Sequence, residues 1–138
     1  MKLDYAYTVF QNLETTISKL KEDGYLVEEL EHDRNKPEDV YKKDMALALL
    51  AELEDIQSLL KWMNLPVAAD GKLQKNGLDR YEISDTGIEL TSGDRVDVYD
   101  SEREEWVHSA IEHNTSDYYI KALGRDIRID GVHVRIKR

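Results

Sequence analysis

The sequence predicts an α+β protein: an antiparallel, coiled-coil-like helical hairpin followed by a small antiparallel β-barrel or sandwich. Three observations carry this. Residues 3–63 repeat apolar side chains at alternating spacings of three and four. Residues 79–138 hold short runs of period-two alternation, separated by turn signals at regular intervals. Between them, Asn64, Pro66, Asp70-Gly71 and Asn76-Gly77 punctuate the chain as they would a linker. The expected division is a hairpin over 1–64, a linker over 65–78 and a barrel over 79–138.

The first helix is expected over 3–33, along the seam Leu3, Ala6, Phe10, Leu13, Ile17, Leu20, Gly24 and Val27. Gly24 costs roughly 1 kcal/mol inside a helix and is a possible break. The phase runs through it unbroken, which favours one continuous helix. Asp33-Arg34-Asn35-Lys36 reads as the turn. Pro37, Glu38 and Asp39 suit the first turn of a second helix, where a missing N–H costs nothing and negative charge meets the positive end of the dipole. That helix is expected over 38–63, with the seam Ala46, Leu49, Leu53, Ile56, Leu60 and Met63. Similar lengths and a short turn favour an antiparallel pair.

The second helix has more apolar surface than one partner covers. Met45 to Ala51 is apolar on all sides, and Leu47, Leu50, Leu59 and Trp62 form a second stripe. The barrel or a second copy of the chain must cover it. Two hairpins about a two-fold axis would bury it in a four-helix bundle, so a homodimer is expected through this stripe.

In the C-terminal part, Tyr81 and Ile83 alternate in one strand. Ile88 and Leu90 follow in the next, after Asp85-Thr86-Gly87. An extended piece at 67–69 within the linker is the only strand-like feature before them. Val96 and Val98 alternate with Asp97, and the polar run Asp100 to Glu105 reads as a hairpin loop. Trp106 to His113 is rich in residues that suit a pleated surface. Asn114 to Asp117 is a turn, and Tyr118-Tyr119-Ile120 opens another strand. Ile127 to Ile129 and Val132 to Ile136 read as two final strands joined by Asp130-Gly131, a two-residue hairpin signal.

The net charge of −10 argues against direct nucleic-acid binding, because phosphate contacts need an excess of Lys and Arg. Hydrophobic residues are 41% and charged ones 35%, as expected of a soluble chain with a modest core. With no cysteine, disulfides and thiolate chemistry are excluded, which fits a reducing compartment. No apolar run approaches the roughly 20 residues of a membrane span. The first residues lack the continuous apolar core of a signal peptide. A cytoplasmic protein without membrane contact is expected.

The successive stretches RYEI, IELTSGDRVDVYD, EEWVHSAIEHN, YYI and DGVHVRIKR resemble a small SH3-like barrel. More closely, they resemble an uncharacterised bacterial family of such barrels, found often in Gram-positive bacteria and on mobile elements. The resemblance covers about residues 80–138. Its most specific pieces are Leu90-Thr91-Ser92-Gly93-Asp94, Trp106-Val107, Ile111-Glu112 and the run from Gly131 to Ile136. That family has no established activity, so the resemblance implies a fold and no reaction.

Candidate sites follow from side-chain chemistry. Asp97 with Glu112, or Glu104 with Glu105, are the carboxylate pairs open to acid–base work, and a solvated acidic surface explains them better. His32, His108, His113 and His133 lack metal-ligand spacing, so no metal and no cofactor are expected. If Val107, Ser109 and Ile111 point inward, Trp106, His108 and Ala110 point outward. Tyr99, Trp106, His108 and Tyr118 are then the candidate interaction patch, suited to a peptide or a methylated cation. The alternative is that Trp106 packs under the helices or in a dimer interface. The expected function is a non-enzymatic protein–protein interaction and assembly module with an unidentified protein partner. The alternative is an accessory factor for nucleic-acid transactions, acting through protein contacts or its acidic surface.

Overall fold

The computed structural model describes residues 1–22 and 31–138. The chain is α+β: two helices, then a curled antiparallel seven-stranded sheet. It divides into two compact units, Met1–Asn64 and Leu65–Arg138.

In the first unit, α1 spans Leu3–Glu22 and α2 spans Pro37–Asn64. Gly24 and Val27 lie outside the described residues. Residues 31–33 are not helical, so the first helix does not run to residue 33 as expected. They lead into the turn instead. There the Asp33 carboxylate accepts from the Asn35 N–H at 2.9 Å, and the Asp33 carbonyl accepts from the Lys36 N–H at 3.1 Å. Asp33 thus holds the local bonds that keep the chain out of a helix. Pro37 opens α2, with Glu38 and Asp39 in its first turn, as the sequence indicates.

The helices meet through Gln57 Nε2, which donates to Ser18 Oγ at 2.9 Å, and through Lys21 and Glu54, whose charged groups are 3.7 Å apart. Rising numbers on α1 meet falling numbers on α2. The face of α2 that is covered centres on Leu50, Leu53, Gln57 and Leu60. The seam read from the sequence holds in part: Ala46, Leu53, Leu60 and Met63 are half-buried or buried, whereas Leu49 and Ile56, expected to be covered, are exposed, Leu49 to 58%. A polar residue, Gln57, is in the seam because Ser18 satisfies its amide.

The second unit begins with β1 (Val67–Lys75), where the sequence suggested a linker. The other strands are β2 (Tyr81–Ile83), β3 (Ile88–Leu90), β4 (Arg95–Asp100), β5 (Glu105–His113), β6 (Tyr118–Ile120) and β7 (His133–Lys137). Their order is β3-β2-β1-β7-β4-β5-β6, and every neighbouring pair is antiparallel. The last strand in sequence thus sits at the centre of the sheet. Val134 and Ile136 of β7 are buried with Leu73, Ile83, Val96, Val98 and Ile111. The sheet curls until β2 approaches β6. Tyr81 meets the Tyr118 ring edge-on, with centroids 6.5 Å apart, and its hydroxyl lies 3.3 Å from Asp117 Oδ2.

Gly71 explains part of this curl. It lies on the core side of β1, opposite Val134, and a Cβ there would meet Ile83 Cγ2 at 3.0 Å. The close approach of β2 needs glycine at that place.

Ile127 to Ile129 do not form a strand. Gly131 adopts φ +78° in a turn, but its N–H bonds to the Leu73 carbonyl of β1 at 2.8 Å, not across a hairpin. The Val132 N–H returns to the Ile129 carbonyl at 3.2 Å, and Ile129 alone of the two isoleucines is buried. Among the described residues, no helix is long and apolar enough to cross a membrane.

Candidate interaction surface

Period-two alternation sends Val96 and Val98 of β4 into the core and turns Arg95, Asp97 and Tyr99 to the other face. The pairing register sets these beside Trp106 and His108 of β5, His133 and Arg135 of β7, and Asp70 of β1. One row reads Asp70, Arg135, Asp97, His108 across four strands. The adjacent row reads His133, Tyr99, Trp106.

Asp97 organises the first row. It is only 5% exposed, which corrects the expectation of a solvated carboxylate. Arg135 Nε donates to its Oδ2 at 2.9 Å, and His108 Nδ1 lies 2.9 Å from its Oδ1. Arg95 Nη1 lies 3.1 Å from His108 Nε2. A guanidinium only donates, so Nε2 accepts and the tautomer that satisfies the chain carries its proton on Nδ1, toward Asp97. A charge this buried is tolerable because it is both paired and hydrogen-bonded.

The second row is a cluster of rings. Trp106 and Tyr99 have centroids 5.1 Å apart, Trp106 and His133 5.1 Å, and Tyr99 and His133 5.5 Å. Arg135 sits over the Trp106 ring, 4.4 Å from its centroid. His133 Nε2 also pairs with the Asp70 carboxylate. The rings pack against each other, and the chain's own guanidinium fills the Trp106 face. Together they form a polar and aromatic plate, with Arg135 over the ring of Trp106.

Of the expected patch, Tyr99, Trp106 and His108 share this face. Tyr118 does not. It pairs with His113, on the side of β5 that carries buried Ile111, and meets the His113 ring edge-on with centroids 4.7 Å apart. Its partner Tyr81 is fully buried. Burial, then the charges of Asp117 and Asp130, push the Tyr81 phenol up to about 12. Burial alone would raise the Asp117 carboxyl. The Tyr118 N–H and Lys75, at 3.4 Å, outweigh that and hold it below its ordinary value. At the rim of the sheet Arg80 donates to Glu89 at 2.7 Å, and that bond lowers the Glu89 carboxyl.

His133 and Arg135 were missed as members of the site. The alternation of the run from Gly131 to Ile136 signalled that both point away from the core, but not which strands flank them. In the helical unit, the expected docking stripe is divided: Leu59 is exposed, whereas Leu47, Leu50 and Trp62 are half-buried. The exposed large apolar side chains of α2 are Tyr41, Met45, Leu49, Ile56 and Leu59. Those of α1 include Phe10, Leu13 and Leu20.

Beside the plate, the end of the sheet near the β4–β5 loop holds a hollow of about 740 Å³. Val98, Val107, Leu123 and Val132 line it, with Lys72, Asp100 and Glu102 among its polar groups. Among the described residues, no three His, Asp or Glu side chains gather as metal ligands.

Residues 72–136 match the model of a domain of unknown function (DUF5348), a span that runs from the middle of β1 into β7. No curated protein and no solved structure matches the chain.

Proposed function

We propose that the chain is a non-enzymatic assembly and interaction protein. The observation that carries this is the apolar surface of the helical unit: Met45, Leu49, Ile56 and Leu59 on α2, and Phe10, Leu13 and Leu20 on α1, are exposed. They are 39–58% exposed, so each forfeits roughly half of the 1.5–3 kcal/mol that full burial of a large apolar side chain contributes. In this reading α1 and α2 form an antiparallel hairpin, which the opposed order of the Ser18–Gln57 and Lys21–Glu54 contacts supports. Two copies pack these faces into a four-helix bundle. The sheet unit is an SH3-like barrel that meets a protein partner, and its curled antiparallel sheet supports that assignment. Asp97 favours binding over catalysis, because Arg135 and His108 engage its two oxygens.

Light scattering on the eluting protein tests the assembly. The wild-type chain is expected at twice its 16.0 kDa mass. Leu49→Glu with Leu59→Glu is expected at the monomer mass with the sheet intact. A wild-type chain that elutes as a monomer at every concentration overturns the reading.

A further inference from the structure

Asn76 is the one asparagine of the chain that precedes a glycine. That pair is open to a reaction of the chain on itself. The glycine amide nitrogen attacks the asparagine Cγ and gives up its proton, a C–N bond forms, and the side-chain nitrogen leaves as ammonia. Water then opens the cyclic imide to aspartate or to its β-linked isomer. The balance is amide plus water giving carboxylate plus ammonium, with no oxidant and no co-reactant beyond water. Glycine favours the attack because no Cβ hinders the nitrogen or restricts the backbone.

In this chain the nucleophile is free. Residues 76–80 form the loop between β1 and β2, and Gly77 within it is exposed. A Cβ on Gly77 would meet nothing within 4 Å. Among the described residues, its N–H bonds to nothing.

The electrophile is held. Asn76 Oδ1 accepts from the Leu78 N–H at 2.9 Å and from the Arg80 N–H at 3.1 Å. Its Nδ2 donates to Glu89 Oε2, on β3, at 2.9 Å. Glu89 is itself fixed, because Arg80 Nη1 donates to its other oxygen at 2.7 Å. The Arg80 bond, then the Asn76 bond, hold the Glu89 carboxyl below its ordinary value, so it stays an ionised acceptor. The main chain is tied as well. The Asn76 N–H donates to the Arg80 carbonyl at 2.8 Å, and the Asp79 N–H to the Asn76 carbonyl at 3.2 Å. To react, Cγ must swing onto the Gly77 nitrogen and pass from planar to tetrahedral. The bonds at both ends of the amide oppose that. An ionised Glu89 also has no proton to give the departing nitrogen.

We propose that Asn76 is a self-modification site: a latent deamidation site that Glu89 keeps closed in the folded chain and that opens when the rim of the sheet loosens. Among the described residues, β3 pairs with β2 alone, so the acceptor that guards Asn76 stands on an edge strand. Edges of this kind open locally before the rest of a fold. Deamidation replaces the Nδ2 donor with an oxygen and sets a carboxylate at position 76 against that of Glu89, where like charges repel. The modified loop then resists closing again, and one opening event is recorded in covalent form.

Mass spectrometry of the full chain, aged in mildly alkaline buffer and digested around residue 76, is the test. Conversion at Asn76 is timed in the folded chain, in the same chain unfolded in urea, and in variants. The folded wild type is expected to convert at least about tenfold more slowly than the unfolded chain, the protection of a locally closed segment. Glu89→Ala, folded by its amide spectrum, is expected to convert at least about threefold faster than wild type. Glu89→Gln loses the charge facing Arg80 but keeps an oxygen for Asn76 Nδ2, so it is expected to stay within about twofold of wild type. Gly77→Ala, which meets no neighbour, is expected to slow the reaction in the unfolded chain, which assigns it to the Gly77 nitrogen.

Conversion as fast in the folded wild type as in urea overturns the proposal. Faster conversion does too, since the two N–H groups on Oδ1 would then be stabilising the developing oxyanion. A folded Glu89→Ala chain that converts no faster than wild type also sinks it. So does Glu89→Gln converting as fast as Glu89→Ala, because loss of the Arg80 ion pair would then explain both. If Glu89→Ala does not fold, the urea comparison and Glu89→Gln decide: a wild-type rate in Glu89→Gln supports the proposal, and a rate near that in urea overturns it.

Discussion

The two units bury their apolar side chains to very different degrees. Leu73, Tyr81, Ile83, Ile111, Ile120, Ile129 and Val134 of the sheet unit are almost wholly removed from water. Among the described residues of the helical unit, Ile17, Gln57 and Leu60 are the buried ones, and one of those is polar. The sheet curls over its own apolar face, so these side chains are buried within one unit. The helices present amphipathic faces broader than their mutual contact. A helix pair of this kind draws its stability from what it packs against more than from its own propensity.

Substitutions can sharpen that contrast. The largest effect is expected from Ile111→Ala. A methylene-rich side chain removed from a sealed core costs about 2–5 kcal/mol. Leu49→Ala on the exposed face of α2 should cost less than about 0.5 kcal/mol in a monomer. Chemical denaturation of both variants checks this, and equal losses would break the distinction between the units.

Next comes Asp97→Ala. Removing one partner of a fully buried ion pair costs about 3–5 kcal/mol. Arg135 is a quarter exposed and His108 a third, so solvent relieves part of that, leaving about 2 kcal/mol. The helical carboxylate Asp55, which is exposed, should be replaceable by Ala within about 0.5 kcal/mol.

Gly71→Ala is smaller, about 1 kcal/mol, because Ile83 must give by a few tenths of an ångström. A thermal melt reads it directly.

Tyr81→Phe has a similar cost at neutral pH, about 1 kcal/mol for the lost hydroxyl bonds. It carries a further signature. The folded phenol titrates near 12, above its ordinary value of 10.0. The folded state therefore holds this proton more tightly than the unfolded chain does. The stability this confers is complete below pH 10 and is lost as pH rises toward 12. Melts of the Phe variant should lack that alkaline loss.

These positions also show how far the sequence reached. β2 to β6 were legible because alternation and turn residues coincide there, as at Asp85-Thr86-Gly87 and Asn114 to Asp117. β1 was not. Its Asp70-Gly71 resembles a turn, yet Gly71 is required by the approach of Ile83, a contact invisible along the chain. Ile127 and Ile129 alternate like a strand, but backbone bonds of the flanking turn go to β1. The outward direction of Trp106 and His108 follows from period two. Their join to Arg135 does not, since it depends on β7 lying beside β4 across 38 positions of sequence. In α2 Leu53 and Leu60 were legible as covered, but Gln57 was not, because an apolar count passes over it.

Native-state hydrogen exchange at several protein concentrations tests the central contrast most directly. A unit complete within one chain has protection independent of concentration, whereas one completed by association gains protection as concentration rises. The account predicts that amides of α1 and α2 exchange more slowly as the protein is concentrated from about 1 to 100 micromolar, while those of β4, β5 and β7 do not change. Helix amides whose protection is the same at every concentration would contradict it.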